Sequence, residues 1–187
     1  MRFRFNEKKS AQAAARLLRS HGGGMPYIAL IKLLYLADRE SLIQTGSPIT
    51  GDRMVSMKYG PVLCEILDFI RGEDPSSPQP AVWFDYITVP SNHNVCLRPP
   101  DPELDELSPK ELRVLDEIHR KYGGLDRSAL VRYTRLLPEW RDPGASVLDI
   151  DPRDILRFAG WDEESIQSAA RDAEAIDHFE HILARVR

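Results

Sequence analysis

Cysteine is scarce. Cys64 and Cys96 are the only two in 187 residues, too few and too irregularly placed for a disulfide framework or a zinc knuckle. A reducing compartment suits such a chain, and the expected location is the cytoplasm. No apolar run is long enough to span a bilayer. The most apolar stretch, residues 27–38, is interrupted by Lys32 and Asp38 and followed at once by Arg39 and Glu40. No N-terminal apolar segment precedes a cleavage-like site, so neither a leader nor a membrane anchor is expected. The chain also lacks a phosphate-binding glycine loop, a dinucleotide fingerprint and a serine elbow. Gly22-Gly-Gly24 follows no strand and reads as a helix stop. An excess of positive charge is missing too. Lys and Arg total 25 against 29 Asp and Glu, for a net charge of -4, which argues against a dedicated nucleic-acid surface. No fixed-period repeat or low-complexity tract appears, and the length fits a single domain over residues 1–187.

What is present is helical patterning around one greasy segment. Pro26 suits a first helical turn, Gly46 supplies a stop, and the apolar arc between them is wider than a surface stripe. Such a helix must be covered on most sides, with its charges leaving at the rim or finding partners. Asn6 is placed to cap an earlier helix from Glu7 to Ser20, whose alanines allow close approach. Residues 53–59 read as a short strand, and Gly60-Pro61 breaks it, with Pro61 opening a third helix that ends at Gly72. A loop follows over residues 75–80. Residues 82–89 and 95–98 flank Ser91-Asn-His-Asn94 and suggest a small β-hairpin or ribbon leaning on the helices.

Ser108-Pro-Lys-Glu111 is a capping box with proline in the first turn. Further helices are expected over 126–136, from Asp151-Pro152 to Phe158, and from Asp162 towards the C-terminus. The fold class expected is therefore mainly α: a compact helical domain around a central buried helix, with a small β element.

Candidate chemistry is thin. Glu174, Asp177, His178, Glu180 and His181 lie at helical spacings of three and four and could seed a metal site, but no second helix offers matching ligands. His21, His93 and His119 read as surface residues, because no nucleophile with an orienting partner accompanies them. Cys64 reads as packing. No catalytic residue, metal or cofactor is expected, and the reading is of a binding module rather than an enzyme.

A resemblance rests on particular residues. Lys32-Leu-Leu-Tyr-Leu-Ala-Asp38, Gly46, Pro48-Ile-Thr-Gly51-Asp52 and Lys58-Tyr59-Gly60-Pro61-Val62 follow one another in an order similar to the SocA-like Panacea domain of antitoxins and phage-associated proteins. Tyr122-Gly-Gly and Leu-Pro-Glu-Trp140 are similar in layout. The resemblance implies a mainly helical fold and an antitoxin that neutralises a cognate protein toxin by direct contact. In the SocA-like branch it also implies delivery of the toxin to the ClpXP protease. Lys32, Tyr35, Asp38, Gly51, Asp52, Tyr59, Gly60 and Pro61 are expected to be structural. Lys32 and Asp38 would tie the central helix to the Asp52 and Tyr59 loops by charge-assisted hydrogen bonds. Partner contacts are expected at Arg53, Lys58, Trp83, Tyr86 and Trp140, on the 83–89 ribbon and the surface beside it. The alternatives are a DNA-binding regulator, with a helix-turn-helix near the basic N-terminus or around 126–136, and a metal-dependent enzyme built on the last helix.

Overall fold

The computed structural model describes residues 1–71, 82–88 and 91–186, with side chains of the last helix described as far as Ile176 and at His178. Its centre is α2 (Tyr27–Thr45), which Gly46 ends in the left-handed conformation. Around it pack α1 (Glu7–Ser20), α3 (Cys64–Arg71), α5 (Pro109–Tyr122), α6 (Arg127–Thr134) and α7 (Pro152–Phe158). A five-residue helix, α4 (Val82–Tyr86), lies on α1, and α8 (Glu163–Val186) leaves the body from α7. The chain is mainly α with a small β element.

Local sequence accounts for the helix starts. Asn6 accepts from the Lys9 N–H and caps α1, and Ser108 with Glu111 forms the full capping box of α5. Asp126 and Asp151 cap α6 and α7 in the same way. The face of α1 carrying Ala11, Ala14, Ala15 and Leu18 is fully buried, so the small side chains do bring helices close. The Gly72 stop and the 75–80 loop lie outside the described residues, as do Val89 and the side chains of Asp177, Glu180 and His181.

Two small sheets depart from the expected plan. Residues Gly60–Leu63 form not the first turn of a helix but a strand, β3, antiparallel to β2 (Met54–Met57). Pro61 is tolerated because β3 is the edge of a sheet ordered β3-β2-β5, where a missing N–H leaves no interior ladder gap. The third strand, β5 (Leu148–Asp149), carries no sequence signal of its own and exists because β2 offers it a free edge. The segment expected as a strand at 82–89 forms the helix α4 over Val82–Tyr86 and an isolated bridge at Ile87. Its aromatic, β-branched composition favours a strand, but the Glu7 carboxylate accepts the Trp83 N–H at 3.0 Å, and Trp83 and Ile87, one turn apart, are both buried. The partner of β4 (Asn94–Cys96) is instead β1 (Gly24–Pro26), the passage between α1 and α2. Among the described residues the two arms of the expected hairpin meet at isolated bridges, Ile87–Leu97 and Ser91–Asn94, and through the Thr88 and Arg98 N–H groups, around a turn in which Asn92 and His93 take positive φ.

Candidate functional site

Lys32 and Asp38 do not leave α2 at a rim: they are 1% and 0% exposed. Together with Tyr35 and Arg39 they form a polar strip, one helical turn to the next, on an otherwise apolar rod. The four members of the strip take hold of three different pieces of chain.

The Lys32 Nζ donates to the Pro61 carbonyl at 2.6 Å and so anchors β3, two residues beyond Tyr59. Burial among apolar neighbours pushes the Lys32 ammonium down to about 7. Asp38 accepts from the backbone N–H groups of Ile49 and Thr50 at 3.1 and 3.0 Å, and from the Thr50 hydroxyl. The Thr50 oxygen in turn accepts from the Asp52 N–H at 3.1 Å. The Asp52 carboxylate then takes the Glu65 and Ile66 N–H groups at 3.1 and 3.0 Å, which is the cap of α3. That cap explains why the helix begins at Cys64 rather than at Pro61. Burial raises the Asp38 carboxyl to about 7 and that of Asp52 to about 6, against the pull of the N–H donors each one holds. Gly51 lies between them at φ +71°, where a Cβ would meet the Arg4 carbonyl oxygen at 2.0 Å.

Tyr35 and Arg39 complete the strip. The Tyr35 hydroxyl donates to Glu139 Oε1 at 3.0 Å, and Arg39 Nε donates to the same oxygen at 2.7 Å. The Glu139 side chain is wholly buried. It pins Pro138-Glu139-Trp140 to the central helix, and Trp140 Nε1 then donates to the Met57 carbonyl at 3.1 Å. Arg141 adds a bond from its N–H to the Ser56 hydroxyl at 3.2 Å. Arg39, Thr50 and Glu139 carry roles here that residue pattern alone does not assign. The signal that could have found Arg39 is its i+7 spacing from Lys32 and i+4 spacing from Tyr35.

These anchors hold a two-residue hairpin tip, Lys58-Tyr59, against the end of α6. Gly60 has φ +92°, and a Cβ there would lie 2.7 Å from Thr134 Oγ1 and 3.0 Å from Lys32 Nζ. Gly60→Ala is therefore expected to destabilise the protein by about 2–3 kcal/mol, combining the positive φ with overpacking, and chemical denaturation measures it. At the surface, Tyr59 is 63% and Leu136 82% exposed. Arg135 lies over the Trp140 ring at 4.7 Å, and Lys58 over the Tyr59 ring at 5.9 Å. Arg141 is exposed beside them, and Asp142, 3.8 Å from Arg135, is the nearest acid to that guanidinium.

The residues expected to meet a partner do not share one surface. Trp83 is fully buried and stacked on Phe69 at 5.7 Å, because α4 turns it inward as a strand would not. Tyr86 is half-buried on the same short helix. Arg53 is exposed and paired with Asp149 at 2.8 Å, at the far end of β2 from Lys58. Lys58 and Trp140 alone of the five come together, joined by Tyr59, Arg135 and Leu136.

Among the described residues no three His, Cys, Asp or Glu side chains gather as metal ligands would, and no helix is long and apolar enough to cross a membrane. No curated protein and no solved structure matches the chain. The family model described as antitoxin SocA-like, Panacea domain, matches residues 30–141, which runs from the polar strip of α2 through the hairpin to Trp140 and Arg141. The chain therefore belongs to the SocA-like Panacea family of antitoxin domains.

Proposed function

We propose that this protein is an antitoxin that neutralises a cognate protein toxin by direct binding, and that the toxin docks on the patch formed by Lys58, Tyr59, Arg135, Leu136 and Trp140. The observation that carries the reading is the exposure of a large aromatic and a large aliphatic side chain on a backbone fixed by buried anchors. Aromatic and arginine side chains dominate binding energy at interfaces, and a rigid platform loses little entropy on association. The cations of the patch, Lys58 and Arg135, suit an acidic face on the toxin, which would compete with the loose 3.8 Å contact of Arg135 to Asp142.

The test is growth rescue on co-expression with the toxin encoded beside this gene. Tyr59→Ser combined with Arg135→Glu is expected to abolish rescue and to weaken binding of the purified pair by at least about 30-fold, taking about 2 kcal/mol or more for a hot-spot residue. Neither side chain is buried, so the melting temperature should stay within about 2 °C of the wild type. Full rescue by a correctly folded double variant removes the patch from the proposal. Rescue that persists in cells lacking the ClpXP-type protease assigns neutralisation to masking, and rescue lost in those cells assigns it to delivery of the toxin for degradation.

A further inference from the structure

A second feature is built from residues that take no part in the patch. Helices α1 and α5 run parallel, as their cross-links show: Lys9 to Glu111 at 2.6 Å, Arg16 to Asp116 at 2.8 and 2.7 Å, and then His21 to His119. The two helices finish within about one turn of each other. His21 is the C-cap of α1 and His119 stands in the last turn of α5. The two imidazoles meet edge to face, centroids 5.6 Å apart, with His21 Nδ1 and His119 Nε2 separated by 3.4 Å.

Three physical facts converge on that pair. A tetrahedral ion with imidazole nitrogens at about 2.0–2.1 Å holds two of them about 3.3–3.4 Å apart, which is the separation found. Two helix C-termini point their partial negative charge at one spot, which favours a cation there. The third fact is the seat of the ring. Gly123 follows α5, and a Cβ on it would lie 2.7 and 2.8 Å from Cδ2 and Nε2 of His119, so the absence of a side chain is what lets the imidazole lie where it does. The backbone beyond His21 is equally fixed, with the Gly22 and Gly23 N–H groups bonded to the Arg19 and Leu18 carbonyls. The Asp116 carboxylate accepts two bonds from Arg16, and its charge also acts on the His119 ring.

We propose that His21 and His119 form a two-imidazole site for a divalent ion of the zinc class, clamping the common end of α1 and α5, with water completing the coordination. Nitrogen ligands select zinc, nickel or copper over magnesium and calcium, which require oxygen. A metal that binds only the folded pair adds to stability by mass action.

The experiment is calorimetric titration of the full chain with zinc chloride, read together with the nitrogen shifts of the histidine rings by NMR. One zinc per chain is expected, with the rings of His21 and His119 shifting and that of His93 unmoved. Either His21→Gln or His119→Gln should weaken binding at least tenfold. The double change His178→Gln with His181→Gln should leave it intact, and magnesium should produce neither heat nor shift. Zinc binding that survives His119→Gln, or that disappears with the α8 histidines instead, overturns the proposal, as does the lack of any ring shift at millimolar zinc. Both rings are at the surface, and melting in chelator checks that the variants fold. Should one fail to fold, the ring shifts of the wild type still decide the matter.

Discussion

Asp38→Ala is expected to destabilise the protein by about 3–5 kcal/mol, the largest effect of any single side-chain truncation in the polar strip. Three donors, the N–H groups of Ile49 and Thr50 and the Thr50 hydroxyl, converge on this carboxyl, and it is completely buried. Alanine leaves all three without an acceptor where water does not reach. The loss also travels. Thr50 receives the Asp52 N–H, and Asp52 caps α3, so freeing the 49–52 loop loosens the start of a helix that Asp38 never touches. Asp38→Asn should cost only about 1–2 kcal/mol, because its carbonyl still accepts the two backbone N–H groups. Urea unfolding of the two variants measures the difference. Equal losses would mean that charge rather than hydrogen-bond shape holds the loop, and a loss below about 1 kcal/mol for alanine would remove the strip from its structural role.

Much of the helical frame was legible in the sequence because it is written in short-range chemistry. Asn6, Ser108 with Glu111, Asp126 and Asp151 cap helices within three residues of themselves, and the apolar width of residues 27–38 required burial wherever the rest of the chain lay. Of the β element, β2 was legible where it stands, within residues 53–59, but the strands it pairs with were not. Residues 60–63 became a strand because Asp52, from outside the segment, set the start of α3, and residues 82–86 became a helix because Glu7 capped them from 76 positions away. No local propensity carries such information. The same limit governed the candidate site. Lys58 and Trp140 were singled out on residue type, whereas Arg135 and Leu136 join them only through the packing of α6 on the hairpin. Trp83, singled out on the same grounds, is core.

The buried charges make a second large effect, a stability minimum close to neutral pH. Folded, Asp38 titrates at about 7 and Asp52 at about 6, against 3.8 for an ordinary aspartate, so between pH 4 and 7 the folded chain holds more protons than the unfolded one. Stability therefore falls as pH rises through that window. Lys32 acts with the opposite sign. It titrates at about 7 when folded and at 10.5 when free, so above pH 7 the folded chain holds fewer protons and stability climbs again. At roughly 1.4 kcal/mol per pH unit of displacement, the acid limb should amount to about 7 kcal/mol for the two aspartates together, and the part of the alkaline limb reached by pH 9 to about 3 kcal/mol. Denaturant midpoints from pH 4 to 9 measure both, and stopping at 9 avoids the Cys64 thiol, which burial pushes up to about 11. Asp38→Asn should remove the Asp38 share of the acid limb, keep the Asp52 share between pH 4 and 6 and leave the alkaline limb, whereas Lys32→Met should remove the alkaline limb and leave the acid one. Lys32→Met also leaves the Pro61 carbonyl without its donor, so hydrogen exchange in β2 and β3 should quicken even where the alkaline limb has vanished. An unchanged alkaline limb in Lys32→Met would show that this amine is charged throughout, and that the hairpin carrying Tyr59 is held by a permanent ion rather than by a titrating one.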